Sequence, residues 1–408
     1  MDAIRLAAGH AGRVPDTPAP LLLAVDGDSL LHRAHHAMEG GGQRDGRGRP
    51  TWALRGLVSF IATAAARLTP DAVVVGFDSR ENSVRKADYP GYKAQRADKP
   101  AELQAQLDDA PGLLAAAGFA VVVAPGYEAD DVLASAAALA RRSGWRATLV
   151  TSDRDSFALI DDTTSVLRVL NGGMDGSPVL TPRKLPSVCG VAPGQYRDFA
   201  AMRGDTSDNL PGARGIGSKT AAKLLSVFRT VDDAYTAIDS GRGAEVDAVI
   251  GRAATTRLSA PEARGHVVRN QRLMAMHDGL ALPSLGEMGV PLDAVRVRTA
   301  LATRDIRLGP SLWALVGEEA PPWLPAGYDR APHYLPRADP LQPVDPLQPA
   351  EAVDVTGSPD LTDREKATGR EKVSAGVWAG PTAPVQRLYG LKPGRTAKPA
   401  PPGQLTLF

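Results

Sequence analysis

Gly126-Tyr127-Glu128-Ala129-Asp130-Asp131 is the stretch that decides the fold of this chain. It follows an apolar run, residues 120–124, that is typical of a buried strand, and it precedes a helix-like spacing of apolar residues. Three carboxylates therefore fall within one helical turn at the end of a strand. Like charges this close raise one another's pKa unless a cation lies among them. An acidic first turn also complements a helix dipole, which is the alternative explanation.

Three further apolar runs, residues 21–25, 71–77 and 147–151, are predicted strands that end in acidic residues. These acidic residues are Asp26, Asp78, Asp153 and Asp155. Helix-like patterns alternate with the strands, which predicts an α/β fold with a mostly parallel sheet and a functional crevice at the carboxyl ends of its strands. Oxygen ligands without histidine or cysteine at ligand spacing favour Mg²⁺ or Mn²⁺ over zinc. A divalent-metal site therefore explains the acidic strand ends better than the helix dipole does.

Residues 79–96 break the periodic pattern with basic and aromatic side chains. These side chains are Arg80, Arg85, Lys86, Tyr89, Tyr92, Lys93 and Arg96. The net charge of the chain is only +1, so any affinity for nucleic acid must come from such local patches. Two readings of Tyr89 and Tyr92 stay open: they stack on unpaired bases, or they pack beneath this segment.

The second half of the chain, from about residue 196 to 316, is predicted to be mostly helical. Gly215-Ile216-Gly217 opens a helix predicted over 218–228, and glycines there let a phosphate approach backbone N–H groups. Lys219 and Lys223 add positive charge to that helix. An ordinary glycine-rich turn is the alternative, but two nearby acids, Asp205 and Asp208, favour a functional site.

Composition bounds the class of protein. The chain has 408 residues, 43% of them hydrophobic, which is enough for two domains or one large one. Its single cysteine, Cys189, excludes an internal disulfide framework and suits a reducing cytoplasm. No run of 18 apolar residues suggests a membrane span, and residues 1–20 lack a clear signal peptide. Beyond about residue 320 the chain is rich in proline, which predicts a disordered or polyproline-like linker.

Residues of about 21–316 resemble the 5′ nuclease domain of bacterial DNA polymerase I, in the flap endonuclease superfamily. The stretches that carry the resemblance are VDGDSLLHRAHHA (25–37), FDSRENSVRKADYPGYKAQR (77–96), PGYEADDVLA (125–134), TSDRD (151–155) and GDTSDNLPGARGIGSKTAAKLL (204–225). Together these motifs are highly specific. The polymerase and proofreading regions are absent, so we expect a stand-alone 5′ nuclease with a PIN-like core.

The resemblance implies roles for individual residues. Its metal-binding acids correspond to Asp26, Asp78, Glu128, Asp130 and Asp131 in one cluster and to Asp153, Asp155, Asp205 and Asp208 in a second. Basic residues near the scissile phosphate correspond to Arg85 and Lys93, within a helical arch over 79–111. Two divalent ions, Mg²⁺ or Mn²⁺, are the implied cofactors.

The same resemblance implies a DNA-binding set. It comprises Tyr89, Arg96, Gly215, Ile216, Gly217, Lys219, Thr220 and Lys223, the last six in a helix-three-turn-helix that often holds K⁺. Arg203 departs from a threonine usual before the Gly-Asp pair, and Phe157 departs from a common tyrosine. Neither position supplies a metal ligand, so these departures bear on substrate preference.

The sequence therefore predicts a structure-specific 5′-3′ exonuclease or flap endonuclease of replication and repair. We expect a monomer in the cytoplasm, associated with the nucleoid, that acts on branched, nicked or flapped DNA and on RNA–DNA primer duplexes. The alternatives are a PIN-type ribonuclease, a non-catalytic binder of DNA structures, and a phosphatase-like hydrolase of small substrates. The GDTSDNLPGARGIGSKT stretch argues against the first and third, and the complete acid set argues against the second.

The expected organisation has five parts. They are a tail (1–20), an α/β core (21–200), a helical DNA-binding region (201–318), a proline-rich linker (319–403) and a terminal peptide (404–408). The terminal peptide resembles the bacterial sliding-clamp-binding motif, whose contacts would be made by Gln404, Leu405, Leu407 and Phe408. The implied partner is the DNA polymerase sliding clamp.

Overall fold

The computed structural model describes residues 18–38, 41–81, 83–170, 173–174 and 176–322. Its central feature is a six-stranded sheet in the order β3-β2-β1-β4-β5-β6. The strands are β1 Leu21–Asp26, β2 Ala72–Phe77, β3 Ala120–Val123, β4 Arg146–Thr151, β5 Thr164–Arg168 and β6 Val179–Leu180. All neighbouring pairs are parallel except β5 with β6. The predicted mostly parallel α/β sheet is therefore confirmed.

The sheet is buried on both faces, which explains why its central strands are continuous apolar runs. Every residue of β1 and β2 is buried. Residues Leu22 and Ala24 belong to the core on one face, and Leu23 and Val25 belong to the core on the other. Strand β1 lies at the centre, where Val25 is in register with residues of both β2 and β4.

Helices cover the two faces of this sheet. In the first half they are α1 Gly27–Met38, α2 Trp52–Leu68, α3 Val84–Asp88, α4 Ala101–Ala117, α5 Ala129–Arg142 and α6 Leu185–Cys189. The helix-like patterns that alternate with the predicted strands are therefore confirmed. The predicted arch over 79–111 does not hold in its last third, because Leu103 and Leu107 of α4 are buried in the core. Only residues 79–100 remain outside the core helices.

The second half is helical, as predicted. It contains α7 Tyr196–Arg203, α8 Ser218–Leu225, α9 Val231–Ala237, α10 Gly243–Ile250, α11 Arg252–Ser259, α12 Pro261–Leu273, α13 Ala294–Ala302 and α14 Trp313–Val316. Shorter 3₁₀ or π turns occupy Asp155–Leu159, Pro193–Gln195, Ile238–Arg242 and Gly309–Leu312. The helix predicted over 218–228 ends at Leu225. None of the helices in the described ranges is long and apolar enough to cross a bilayer.

A short β-hairpin with two residues in each strand joins α7 to α8, and the sequence did not predict it. Its strands are β7 Gly204–Asp205 and β8 Leu210–Pro211. A Cβ on Gly204, at φ +77°, would lie 2.3 Å from the backbone nitrogen of Gly212. A Cβ on Gly212 would lie 2.4 Å from the backbone of Arg203. The hairpin therefore requires glycine at both positions, and it fixes where Asp205 lies.

The last described residues return to the first half of the chain. Helix α13 packs on α4, and α14 packs on α2. Leu301 and Leu315 lie in the same core as Leu57 of α2. The boundary expected near residue 200 is therefore not the end of the first core, which residues near 290–316 complete. The expected tail up to residue 17 and the expected linker and peptide from residue 323 lie outside the described residues.

Candidate active site

The carboxyl ends of four parallel strands meet at one edge of the sheet and form an acidic pocket. Asp26 ends β1, Asp78 follows β2, Glu128 follows β3 as the N-cap of α5, and Asp153 follows β4. Their side chains line one pocket of about 360 Å³ together with Asp28 and Asp130. The cations around the same pocket include Lys93, Arg96 and Lys99. The structure thus brings four acids of the expected first set, Asp26, Asp78, Glu128 and Asp130, into one crevice with Asp153 of the second.

Hydrogen bonds hold the acids of the pocket in place. Asp26 accepts from the backbone N–H of Ser29 at 2.9 Å and from the Thr151 hydroxyl at 2.8 Å. Asp78 accepts from the backbone N–H of Ala129 at 2.9 Å. Donors from helix α1, strand β4 and helix α5 therefore orient these two carboxylates.

Several of these acids lack a counter-charge. Within the described part of the chain, no lysine, arginine or histidine forms an ion pair with Asp26, Asp78, Asp130, Asp153, Asp155 or Asp205. Burial, with a further contribution from Asp78, raises the pKa of Asp26 to about 8. Burial and the neighbouring Asp153 carboxylate raise the pKa of Asp155 to about 7. The same causes raise the pKa of Asp130 well above its usual value.

Glu128 and Asp208, in contrast, are neutralised by cations. The Glu128 carboxylate lies 2.9 Å from Lys93 Nζ and accepts from the Tyr92 hydroxyl at 3.0 Å. The Asp208 carboxylate lies 2.6 Å from Arg96. These contacts join the segment of residues 79–100 to the acidic crevice and to the loop between β7 and β8.

Lys93 occupies a strained backbone position at the centre of this arrangement. Its φ is +55°, a left-handed conformation that non-glycine residues adopt only when their surroundings impose it. Its backbone N–H donates to the Asp208 carbonyl at 3.0 Å, and its ammonium lies 4.8 Å from the ring centre of Tyr92. The structure thus directs the Lys93 ammonium into the crevice.

Arg85 and Asp131 form a buried ion pair, and neither side chain lines the acidic pocket. The two Asp131 carboxylate oxygens accept from Arg85 Nη1 and Nη2 at 2.7 and 2.8 Å. They also accept from the backbone N–H groups of Glu128 and His277 at 3.0 and 2.8 Å. Arg85 Nε donates to the Leu273 carbonyl at 2.8 Å.

This buried pair gives both residues structural contacts, and their expected roles at the substrate and the metal stay predictions. Both side chains are nearly enclosed, with side-chain exposures of 8% for Arg85 and 1% for Asp131. Asp131 closes the capping box of α5, so it serves the helix as the dipole explanation suggested and does not line the acidic pocket. Arg85 clamps the segment before Lys93 onto α5 and the end of α12, since its donors bond to Asp131 and to the Leu273 and Ala275 carbonyls.

The two tyrosines of this segment pack beneath it, which was the alternative to base stacking. Tyr92 is buried and donates to Glu128. The ring of Tyr89 is covered by the guanidinium of Arg269, 4.4 Å from the ring centre. Tyr92 therefore has no face for a base, whereas Tyr89 is half-buried and has the Arg269 guanidinium over its ring.

The second group of acids borders the first. Asp153, Asp155 and Asp205 line a smaller pocket of about 270 Å³ with Arg154 and Arg203. The hairpin loop fixes Asp205, whose carboxylate accepts from the backbone N–H and hydroxyl of Ser207 at 2.8 and 2.6 Å. Asp208 is turned toward Arg96 and away from this pocket.

The donor chemistry of the two acid groups fits hard divalent cations. The donors are carboxylate oxygens, as Mg²⁺ and Mn²⁺ prefer, and several are buried without a counter-charge. Among the described residues, however, no three histidine, cysteine or acidic side chains are arranged so that they could enclose a metal ion as they stand.

The expected DNA-binding turn is largely exposed. Gly215, Gly217, Lys219 and Lys223 are exposed, and Thr220 is half-buried. Gly217 is the N-cap of α8 and no side chain in the described ranges caps this helix, so its first N–H groups are available to an anion. Ile216 differs from the expectation, because its side chain is buried in the core.

Sequence reasoning missed three residues of the acidic pocket, namely Asp28, His32 and Lys99. Asp28 is buried, and its carboxylate accepts from the backbone N–H of Asp78 at 2.7 Å. Burial, then Asp78, raises its pKa to about 6. The spacing of Asp28 and His32, four residues apart on α1, places both on one helix face and could have identified them. Lys99 lies in an irregular segment, and no sequence pattern indicated it.

Two family models match consecutive parts of the chain. The model described as the 5′-3′ exonuclease N-terminal resolvase-like domain matches residues 21–185. The model described as the 5′-3′ exonuclease C-terminal SAM fold matches residues 191–286. The predicted resemblance is therefore confirmed, and both acid groups fall within the matched residues.

Among curated proteins, DNA polymerase I of Mycobacterium tuberculosis strain H37Rv is 35% identical over 258 residues, covering 63% of this chain and 27% of that protein. Thermostable DNA polymerase I of Thermus aquaticus is 39% identical over 215 residues, covering 53% of this chain and 25% of that protein. The chain thus spans about a quarter of the length of these curated relatives.

A solved structure of T5 5′-exonuclease with bound zinc aligns with a TM-score of 0.50 at 23% identity. The alignment covers 63% of this chain and 90% of that one. This likeness shows that the two proteins share a fold.

Proposed function

Because this chain belongs to the 5′-3′ exonuclease family, we propose that it hydrolyses phosphodiester bonds of DNA as a structure-specific 5′ nuclease. Branched, nicked or flapped duplexes, and RNA–DNA primer duplexes, are the proposed substrates. One observation carries the proposal. Carboxylates without a counter-charge line the strand edge, and cations of residues 93–99 face them across the same pocket.

Divalent cations are the proposed cofactors, and Mg²⁺ or Mn²⁺ fits the oxygen donors. The residues proposed to hold them are Asp26, Asp78, Glu128 and Asp130 on one side and Asp153, Asp155 and Asp205 on the other, with Asp208 near the second group. When bound, two such ions would make an attacking water more acidic and stabilise the charge that develops on the phosphate.

The chain's own cations would position the substrate strand. Lys93 and Arg96 already contact acids of both groups, and a phosphate entering the pocket would exchange those contacts for its own oxygens. We propose Lys93 as the residue nearest the reacting phosphate, because its ammonium is held inside the crevice. Arg85 then acts as a positioning residue, since it holds the segment that carries Lys93.

Helix α8 is the proposed duplex contact. Its uncapped N-terminus offers backbone N–H groups, and Lys219 and Lys223 add exposed charge on the same helix. These features suit phosphates of either strand and carry no information about base sequence. The K⁺ ion expected in the preceding turn, the monomeric state and the nucleoid association stay predictions, and so does clamp binding through residues 404–408.

Single-turnover cleavage of a labelled 5′-flap duplex in Mg²⁺ tests the proposal. Asp130→Ala and Asp153→Ala should each lower the cleavage rate by at least about 10²-fold, which is about 3 kcal/mol of barrier. Flap-duplex binding, measured in Ca²⁺ or without metal, should persist. Asp162→Ala, which removes an exposed acid outside the pockets, is the matched control. Full turnover by either pocket variant would refute the assignment, and a wild-type protein that binds the flap but never cleaves it would be a DNA-structure binder.

A further inference from the structure

A third pocket, of about 330 Å³, lies behind the second acid group and has no place in the chemistry described so far. Residues of α6, α7, α8 and the ends of β4 and β5 form its wall. Four cations line it, namely Arg154, Arg168, Arg203 and Lys219. None of its lining residues is acidic.

The four cations lack direct ionic partners, although Arg154 and Arg203 also border the second acid group. In the ranges that the structure describes, none of the four forms an ion pair with a carboxylate. Two of them lie over aromatic rings instead. Arg168 lies 5.6 Å from the ring centre of Phe157, and Arg203 lies 5.5 Å from that of Phe199. Burial and the neighbouring Arg154 charge lower the pKa of Arg168, which is the response of a cation without compensation.

Two buried donors on the same wall are also unpartnered. Tyr196 is only 1% exposed, and its hydroxyl has no hydrogen-bond partner among the described residues. The Nε of Arg168 is likewise buried without a described partner. A buried polar group without a partner costs about 1–3 kcal/mol, so each such group calls for an explanation. An anion bound in the pocket supplies an acceptor for both.

We propose that this pocket binds the phosphate monoester group of a nucleotide, either a free mononucleotide or the 5′-phosphorylated end of a strand. A monoester carries nearly two negative charges and three acceptor oxygens at neutral pH, which matches four cations and a hydroxyl donor better than the single charge of a diester. Arg203 lines the pocket. Phosphate binding there would be the function of the arginine that replaces the usual threonine. The proposal requires no metal and no cleavage.

Cys189 provides a direct reporter of occupancy. It lines the pocket, is half-buried and is the single cysteine of the chain. Its rate of alkylation by iodoacetamide therefore reports on one place without background. The measurement uses the full chain at pH 8.5 in EDTA, which prevents cleavage and removes metal-held phosphate from the acidic crevice.

The ligands to compare are dAMP, a short single strand with a 5′-phosphate, the same strand with a 5′-hydroxyl, dimethyl phosphate and sulfate. We expect the monoesters to slow alkylation, with half-protection at about 1 mM or below, and the other three to have little effect. Protection by dAMP equal to that by the phosphorylated strand identifies a free mononucleotide as sufficient. Protection by the phosphorylated strand alone identifies a strand end. Equal protection by the 5′-hydroxyl strand or by sulfate, or no protection by either monoester, overturns the proposal.

Variants of pocket residues test whether the ligand binds in this pocket. Arg168→Gln should weaken protection by a monoester about tenfold, as expected for loss of one charge-assisted hydrogen bond. Tyr196→Phe removes only the unpartnered hydroxyl and should weaken protection about threefold while the fold is retained. Arg197→Gln, an identical change at an exposed neighbour outside the pocket wall, should leave protection unchanged. Equal loss in the Arg168 and Arg197 variants would show that the pocket is not the site.

Discussion

At the scale of single residues, the acids of the crevice differ in what neutralises them. Glu128 and Asp131 have fixed partners, whereas Asp26 and Asp155 have raised pKa values and no cation. Asp131 holds the structure around the site, whereas Glu128 also lines the acidic pocket. The others remain available for a ligand that supplies positive charge.

Raised carboxyl pKa values make the stability of the metal-free protein depend on pH. The folded pKa values of about 8 for Asp26 and about 7 for Asp155 lie above the usual 3.8, so the folded state binds extra protons and loses stability as pH rises. His32 acts oppositely, because burial and Lys99 lower its pKa to about 4, but its contribution is complete above pH 6.5. Between pH 6.5 and 8, the free energy of unfolding in EDTA should therefore fall by about 2 kcal/mol.

Thermal unfolding in EDTA and in Mg²⁺ measures this effect. Metal binding requires ionised ligands, so Mg²⁺ should raise the Tm more at pH 8 than at pH 6.5. Asp26→Asn removes the larger contribution and should flatten the curve in EDTA. A Tm in EDTA that rises over this interval would contradict the assigned direction of the pKa shifts.

Arg85→Ala should destabilise the protein by about 3–5 kcal/mol, because it leaves the Asp131 carboxylate buried without its partner. Arg272→Ala is the matched control. It breaks the Arg272–Asp88 pair, which has similar geometry but side chains that are 60% and 40% exposed. We expect this change to alter stability by less than about 1 kcal/mol. Urea unfolding of both variants decides the point, and equal losses would show that Arg85 is not a structural anchor.

At the scale of elements, the segment of residues 83–96 and helix α8 approach the crevice from different sides. Arg96 and the backbone of Lys93 bind Asp208, and Asn209 donates to the Gly91 carbonyl at 2.7 Å. The loop before α8 therefore touches the segment that carries Lys93. Duplex binding at α8 and strand placement at Lys93 are linked through this contact.

Lys219→Ala should weaken binding of duplex DNA about equally for all sequences. It should also reduce the slope of log affinity against log salt by about 0.9, the effect of one lost phosphate contact. Lys184→Ala, which removes an exposed lysine outside α8, should leave the slope unchanged. Fluorescence anisotropy from 50 to 300 mM salt measures both. An unchanged slope in the Lys219 variant would remove α8 from the duplex contact.

How well each element could be predicted depends on the range of the interactions that fix it. Strand β2 is a continuous apolar run, and its predicted bounds, 71–77, match the structure within one residue. Segment 79–100 has no such pattern, so the burial of Tyr92 and the pairing of Arg85 with Asp131 could not be read locally. Tyr92 bonds to Glu128 and Arg85 bonds to Asp131 and to Leu273, which lie 36, 46 and 188 residues further along the chain.

At the scale of the whole molecule, a similar limit applies to the domain boundary. The composition and motifs placed the change from sheet to helices near residue 200, whereas the last strand of the central sheet ends at Leu180. They gave no sign that α13 and α14 return to the first core. Helix α13 packs against α4, and α14 packs against α2. These contacts cover apolar side chains of α2 and α4.

The sequence of the last five residues predicts a binding partner. Gln404-Leu405-Thr406-Leu407-Phe408 is an apolar pentapeptide behind a proline-rich segment, and an exposed apolar cluster usually marks an interaction site. Its resemblance to the clamp-binding motif predicts a micromolar anchor, around −8 kcal/mol. Such a weak anchor still raises the local concentration of the nuclease at DNA that a clamp encircles.

Deletion of residues 404–408 should therefore abolish binding to a bacterial sliding clamp in calorimetry. Cleavage of free oligonucleotide flaps should be unchanged, because every residue of the acidic pocket lies before residue 160. Stimulation by a loaded clamp should disappear. The double variant Leu407→Ala, Phe408→Ala keeps the chain length and should behave like the deletion, whereas Thr406→Ala should bind normally. Clamp affinity of the truncated protein equal to that of the full chain would show that the pentapeptide is not the anchor.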